Sequence, residues 1–165
     1  AVILPAGLEL PWLNDSKKVT PRRRELLFDQ IRDRALAWAV AWAEPEEIDA
    51  LDILNCRMLA MNRAVEALEP GADYALIDGN RDHGSRYAIT LAHETIVKGD
   101  GRSASIAAAS ILAKVSRDRY MEEMDQIYPQ YEFARHKGYP TRRHYELLRR
   151  YGPCPIHRRS FLKKL

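Results

Sequence analysis

The chain has 165 residues, of which 46% are hydrophobic and 30% are charged. This length suits one domain with a hydrophobic core, and the composition excludes an intrinsically disordered or collagen-like chain. The longest apolar stretch, residues 35–43, is much shorter than the roughly 20 residues of a membrane span. Cys56 and Cys154 are too few for a disulfide framework. Because the N-terminus also lacks a basic segment followed by an apolar run, we expect a cytoplasmic protein.

The predicted elements of the first half begin with a strand at residues 1–4. Thr20, followed by Pro21, predicts the start of a helix, with threonine as the N-cap and proline at the first helical position. Residues 37–43 alternate alanine with larger side chains, which predicts a strand with one alanine face. An acidic helix start at residues 44–52 continues as a long amphipathic helix that ends before Pro70.

The second half predicts three short strands, at residues 74–77, 87–91 and 94–97. A long helix follows at residues 105–128, and its alanine-rich start allows a close approach to a sheet or to another backbone. Thr141 predicts the N-cap of a last helix, which ends before Gly152. Strands that alternate with helices in this order predict one α/β domain with a helical C-terminal end.

Basic residues are concentrated at the C-terminal end. Residues 134–165 contain ten Lys or Arg and one acidic residue, whereas the rest of the chain carries a net charge of −6, from 16 basic and 22 acidic residues. The asymmetry favours a surface that binds a polyanion, and a solvated basic tail is an equally good interpretation.

Two of the predicted strands lead to an aspartate beside glycine. Asp78 precedes Gly79, and Asp100 lies between two glycines. A carboxylate at such a position lies at the edge of a sheet, where glycine allows a ligand to come close. Two such carboxylates could share a hard divalent cation, which is the minimum for metal-assisted phosphodiester chemistry. The same pattern is an ordinary turn signal, and the residues alone favour the turn.

Three histidines and a cysteine near the C-terminus suggest a zinc site as an alternative. These residues are His136, His144, His157 and Cys154, but no second pair of Cys or His has the spacing of a zinc finger. We instead place His157 on the basic face, beside Arg158. No nucleophile triad, Walker loop or glycine-rich dinucleotide turn supports acyl transfer or nucleotide-cofactor chemistry.

Seven motifs taken together resemble those of bacterial ribonuclease HII, in the same order and at close to the same spacing. They lie at residues 14–18, 46–49, 77–79, 97–100, 106–114, 136–141 and 157–161. The resemblance covers essentially the whole chain. It implies an α/β, ribonuclease H-like fold, in which helices flank a mixed sheet and the C-terminal part is helical.

The resemblance also implies an activity and its metal ligands. It implies an endonuclease that cuts the RNA strand of RNA–DNA hybrids and cuts 5′ to ribonucleotides embedded in duplex DNA. Four carboxylates hold two Mn²⁺ or Mg²⁺ ions in that family, and Asp78 and Asp100 match the third and fourth of them. The resemblance therefore makes both residues catalytic metal ligands and outweighs their interpretation as turn residues.

Five further residues match substrate-binding positions of the family. Tyr139 matches a tyrosine that packs against the sugar at the RNA–DNA junction, and Lys137 precedes it in the same loop. Asn14, Lys17 and Lys18 match a loop of phosphate contacts. A half-buried tyrosine and solvated surface lysines are the alternatives that the residues alone leave open.

The chain departs from the family pattern at its start. The family's first strand carries an Asp-Glu pair and a Gly-Arg-Gly turn, and neither is present after Ala1. We therefore interpret residues 1–128 as an α/β core that lacks its first strand, and residues 129–165 as a basic helical segment. With two of four carboxylates absent, we expect strongly impaired hydrolysis by these 165 residues.

Two other functions remain open besides the nuclease. One is a hybrid-binding fragment that does not cleave. The weaker alternative is another enzyme of the nuclease fold, such as an integrase or resolvase. We expect a monomer whose partners are RNA–DNA hybrids and ribonucleotide-containing DNA, without a membrane partner.

Overall fold

Six α-helices and four short strands make up residues 1–162, the part of the chain that this computed structural model describes. Residues 163–165, the end of the predicted basic segment, lie outside it. The strands are β1 (Val2–Ile3), β2 (Ala37–Trp38), β3 (Ala75–Asp78) and β4 (His93–Ile96). The helices are α1 (Pro21–Arg34), α2 (Pro45–Leu51), α3 (Ile53–Glu66), α4 (Ala104–Ile127), α5 (Phe133–His136) and α6 (Arg142–Tyr151).

The strands form two pairs of opposite sense. β1 and β2 are antiparallel, with Ile3 opposite Ala37. β3 and β4 are parallel and in register, with Asp78 opposite Ile96 at their carboxyl ends. Parallel and antiparallel pairs, together with the six helices of residues 1–162, confirm the expected mixed α/β class.

Two strand predictions are wrong in extent. The strand predicted at residues 37–43 is limited to Ala37–Trp38, although the alternation holds: Ala37 and Ala39 are buried and Trp38 is 39% exposed. Residues 87–91 form only an isolated bridge, between Ala88 and His83, and side chains of α3 bind much of the remaining backbone. Asn62 donates to the carbonyl of residue 88 and accepts from the N–H of residue 90.

The helix boundaries follow their capping residues. The hydroxyls of Thr20 and Thr141 each accept a backbone N–H three residues later, which confirms both predicted N-caps. The long helix predicted through residues 44–68 is divided at Asp52, which has a φ of 71°. The carboxylate of Asp52 accepts the N–H groups of Leu54 and Asn55, so it caps α3 as a separate helix.

α4 is the central element of the packing. Its alanine-rich start packs against α1, β1 and β3, and Ala108 is completely buried there, as the sequence predicts. Ala108 belongs to a hydrophobic cluster that also contains Leu27, Ile31, Ile111 and Leu112. The second half of α4 joins a separate cluster, in which Met121 contacts the C-terminal helices. None of the described helices has the length and apolarity that a membrane crossing requires.

Candidate active site

The carboxyl ends of β3 and β4 meet at one edge of their sheet. The N–H of Gly79 donates to the carbonyl of Ile96 at 2.9 Å, which continues the pairing one residue past Asp78. After β4 the chain turns through Lys98, whose φ of 56° is left-handed, into a short 3₁₀ turn at Gly99–Gly101 that carries Asp100. Both aspartates therefore follow strands that end at the same edge.

A hydrogen bond connects the two aspartate segments. Asp78 Oδ1 accepts the N–H of Gly99 at 2.9 Å, so the carboxylate lies against the residue that directly precedes Asp100. Asp78 is exposed and Asp100 is half-buried. The guanidinium of Arg57 donates to the carbonyl of Asp78 at 2.9 Å and holds the end of β3. The structure thus places the Asp78 carboxylate against the segment that carries Asp100, at an edge that solvent reaches.

Gly99 allows this edge to pack against α4. A Cβ at position 99 would lie 2.5 Å from Cδ1 of Ile106, in the first turn of α4, and 3.3 Å from Oδ1 of Asp78. A side chain here would displace the end of the Ile106 side chain and press on the Asp78 carboxylate. Gly99 is therefore a point of close approach, as the sequence pattern predicts.

One face of α4 contacts all three parts of the predicted site. Ile106, Ser110 and Lys114 are spaced by four residues, so they lie along one side of the helix, about 6 Å apart. Ile106 packs against Gly99, the Ser110 hydroxyl hydrogen-bonds the hydroxyl of Ser16 at 2.8 Å, and Lys114 Nζ lies 5.6 Å above the ring of Tyr139. The aspartate edge, the 14–18 loop and the tyrosine loop follow each other along this face.

The 14–18 loop presents its two lysines to solvent. Asp15 Oδ1 accepts the N–H of Lys17 at 2.9 Å, and the Asp15 carbonyl accepts the N–H of Lys18 at 2.9 Å. Asn14 Oδ1 accepts the N–H of Asp15 at 2.8 Å, so this side chain supports the turn. Lys17 and Lys18 are exposed and make no ion pair within residues 1–162. Their geometry suits phosphate contacts, since both ammonium groups are available.

Tyr139 projects from a loop that hydrogen bonds hold firmly. Its ring is 60% exposed, which contradicts the alternative of a half-buried tyrosine. Its N–H donates to the carbonyl of His136 at 2.8 Å, and Gly138, at a φ of 78°, donates its N–H to His136 Nδ1. Lys137 differs from the lysines of the 14–18 loop, because its ammonium pairs with Glu122 at 2.5 Å.

The prediction that His157 lies on the basic face is wrong, because its ring is only 8% exposed. His144 Nδ1 faces the carbonyl of Tyr139 at 3.0 Å and must donate to it, so His144 Nε2 accepts from His157 Nε2 at 3.1 Å. His157 Nδ1 then accepts the N–H of Cys154 at 3.0 Å. This chain of hydrogen bonds ends at the carbonyl of the tyrosine loop.

Burial keeps these rings neutral. Desolvation, followed by the proximity of His144, lowers the pKa of His157 to about 4, and desolvation also lowers the pKa of His144. Every ring nitrogen of His144 and His157 already has a partner in the protein. The geometry therefore gives the zinc alternative no support.

The donor chemistry at the sheet edge fits a hard cation. Asp78 and Asp100 offer carboxylate oxygens, the ligands that Mg²⁺ and Mn²⁺ prefer. Within residues 1–162, no group of three or more His, Cys, Asp or Glu side chains is placed to hold a metal ion. Two aspartates alone could therefore supply only part of the coordination shell of such a cation.

Two contributors to the site are not evident from the sequence. Arg57 lies in α3, and no local pattern connects it with the end of β3. Ser16 is buried and tied to α4 although it lies in a polar loop. The spacing of four residues places Ser110 on one face of α4 with Ile106 and Lys114, but it does not identify Ser16 as the partner of Ser110.

Comparison with known proteins identifies relatives of this chain. The chain is 54% identical over 159 residues to ribonuclease HII of Desulfitobacterium hafniense, a match that covers 96% of this chain and 60% of that relative. The chain thus spans 60% of the length of this curated relative.

Two solved structures share the fold. The crystal structure of ribonuclease H2 from Pyrococcus horikoshii superposes with a TM-score of 0.72 at 28% identity, over 90% of this chain and 76% of that one. RNase HII from Archaeoglobus fulgidus, solved in a complex with PCNA, gives a TM-score of 0.62 at 24% identity, over 87% and 75% of the two chains. The expected ribonuclease H-like fold is confirmed. Because the ribonuclease HII family model also matches residues 7–164, nearly the full length, the chain belongs to the ribonuclease HII family.

Proposed function

We propose that this chain forms the larger part of an endoribonuclease that cuts the RNA strand of RNA–DNA hybrids and cuts 5′ to ribonucleotides embedded in duplex DNA. One observation carries the proposal: the aspartate edge, the lysine loop and Tyr139 lie in sequence along one face of α4. A nucleic-acid strand that follows this face would meet carboxylates, cations and an aromatic ring in turn. Family membership supports the same substrate class.

Asp78 and Asp100 are the proposed metal ligands. They would hold Mg²⁺ or Mn²⁺, and the bound ions would supply activation of a water and stabilisation of the leaving 3′-oxygen. The N–H of Gly99 orients the Asp78 carboxylate, because it occupies one side of Oδ1. The exposure of Asp78 leaves its remaining lone pairs open to a cation and to water.

The remaining residues would bind and orient the substrate. Lys17 and Lys18 are exposed cations suited to phosphates, and Asn14 shapes their turn. The exposed ring of Tyr139 is suited to packing against a sugar. Lys137, through its ion pair with Glu122, would hold the tyrosine loop in place.

A hybrid-binding role without cleavage is the second candidate. The observation that favours it is the two-carboxylate site, since Mg²⁺ binds weakly when ligands are missing. We propose in either case a cytoplasmic monomer, and the free thiols of Cys56 and Cys154 suit a reducing compartment.

A cleavage assay separates the two candidates. Duplex DNA with one ribonucleotide is incubated with the 165-residue chain and with the same chain preceded by the family's strand that carries the Asp-Glu pair. We expect weak cleavage by the first and strong Mn²⁺-dependent cleavage by the second, 5′ to the ribonucleotide. Salt-sensitive binding without cleavage by both forms would favour the binding role.

Substitution of the proposed ligands tests the site itself. Asp78→Asn and Asp100→Asn should each reduce cleavage by the extended form at least about 100-fold, because each removes a metal ligand. Asp73→Asn, which neutralises an aspartate just before β3, is the matched control and should leave the rate unchanged. Equal rates for Asp78→Asn and the control would refute the assignment.

A further inference from the structure

A groove of about 760 Å³ runs between α4, the segment that connects β2 with α2, and the tyrosine loop. Five basic and three acidic side chains line it. It begins where the face of α4 described above ends, since Lys114 and Tyr139 are among its lining residues. The groove thus extends the proposed substrate surface away from the aspartate edge.

Most of the basic side chains in the groove are neutralised by neighbours. Lys114 pairs with Asp118 at 2.6 Å, Lys137 pairs with Glu122, and Arg119 pairs with Glu25. Arg117 and Arg158 differ. Neither has a carboxylate within 4.0 Å among residues 1–162.

The acidic group that acts on Arg158 is already occupied. Asp49 is the carboxylate whose charge acts on Arg158 and favours its protonated form. Its two oxygens accept the backbone N–H groups of Arg159 and Ser160, at 2.8 and 2.9 Å. The guanidinium of Arg158 therefore borders the groove without a hydrogen bond to Asp49.

Packing holds the two guanidinium groups in place. Arg117 stacks over the ring of Tyr120 at 5.4 Å, and a Cβ on Gly138 would lie 3.4 Å from its Nη2. Arg158 stacks over the ring of Phe161 at 4.0 Å. Arg117 is exposed and Arg158 is half-buried, and both line the concave groove. The two guanidinium groups are thus positioned before any ligand binds.

The pair is electrostatically unfavourable in the absence of an anion. Desolvation in the groove lowers the pKa of both guanidinium groups, and the charge of Arg158 lowers the pKa of Arg117 further. Both nevertheless stay protonated at neutral pH. An anion between them would relieve the repulsion and fill the open donors.

We propose that Arg117 and Arg158 form a binding site for one backbone phosphodiester of the nucleic acid, next to the nucleotide that packs on Tyr139. The site rests on the proposed function and extends it, because Arg117 follows Lys114 by one turn of α4. Arginine suits this ligand, since its planar fork matches the geometry of phosphate. The open groove also allows a polymer to pass through it.

Salt-dependent binding tests the site without any cleavage. The Kd of the full chain for an RNA–DNA hybrid is measured by fluorescence anisotropy in EDTA, between about 0.05 and 0.3 M salt. Arg117→Gln and Arg158→Gln should each weaken binding about tenfold at the lower salt concentration. If both hold one phosphate, the double variant should lower the slope of log Kd against log salt by about 0.9, the value for one contact.

Matched variants keep the result interpretable. Arg149→Gln removes the same charge from an exposed position on α6, outside the groove, and should have little effect. Arg117→Lys keeps the charge but loses the fork, so it should keep the slope and still weaken binding. Circular dichroism of each variant checks that the fold is retained.

Three outcomes would overturn the inference. The first is that Arg117→Gln and Arg158→Gln bind the hybrid with the same affinity and the same salt dependence as Arg149→Gln. The second is no binding of the hybrid by the wild-type chain. The third is an acidic peptide that binds the groove more tightly than the hybrid does. The proposed function is judged separately by the cleavage assay, so either proposal can fail while the other stands.

Discussion

Acidification should destabilise this protein in part through His157. Its pKa of about 4 in the folded chain lies below the value of about 6.5 in an unfolded chain. Between these two values the unfolded state binds more protons, so the free energy of unfolding falls as the pH falls. The contribution is fully present above about pH 6.5 and lost below about pH 4. A difference of about 2.5 units corresponds to about 3 kcal/mol.

Urea denaturation followed by tryptophan fluorescence measures this loss, at several values between about pH 7 and about pH 4.5. The wild-type chain should lose about 2 to 3 kcal/mol from His157 over this range. His157→Gln is the control, because an amide can donate and accept in the same place but does not titrate. The carboxylates are common to both chains, so the difference between the two curves isolates the histidine.

The variant is expected to be less stable at neutral pH, since it loses a ring packed against Tyr131 and Phe133. Its free energy of unfolding should then fall less steeply with acid than that of the wild type. Parallel curves for the two chains would refute the reasoning. An NMR titration that places the midpoint of His157 near its ordinary value of about 6.5 would refute it too.

Three further substitutions test the packing around the site. Gly99→Ala should cost about 1 kcal/mol of stability in urea denaturation and lower cleavage by the extended form, because its Cβ displaces the end of the Ile106 side chain and presses on the Asp78 carboxylate; unchanged activity would contradict this. Asn55→Ala should cost about 2 to 3 kcal/mol in the same assay, since two backbone N–H groups lose the acceptor Oδ1. Ser110→Ala should cost only about 1 kcal/mol, yet weaken hybrid binding by loosening Ser16; unaltered binding would show that this contact does not position the loop.

Local signals correctly predicted where α1 and α6 begin. Thr20 and Thr141 cap their helices through contacts only three residues away, so the sequence neighbourhood contains all of the information. The break at Asp52 is also local, but its left-handed φ is uncommon for aspartate, and the continuous apolar pattern conceals it. Propensity therefore predicted a single helix where a side-chain cap makes two.

Predictions that depend on distant contacts failed. Residues 87–91 have the composition of a strand, but Asn55 and Asn62, about 30 positions earlier, bind their backbone groups. His157 has arginines beside it in the sequence, and its burial depends on aromatic rings more than 20 positions earlier. The aspartates are an intermediate case. Their glycine-flanked pattern predicts the sheet edge, while the hydrogen bond of Gly99 that connects them is visible only in the structure.

The rigidity of α4 gives the proposed enzyme a geometric basis for selecting its substrate. The helix face opposite the site includes Ala108, Ile111 and Leu112, which are completely buried, so α4 cannot slide without opening the core. From Ile106 to Lys114 the helix rises about 12 Å. The distance between the aspartate edge and the ring of Tyr139 is therefore set by the helix and not by a mobile loop. A ribose would be recognised at Tyr139 only when the phosphodiester to be cut reaches Asp78 and Asp100 at the same time.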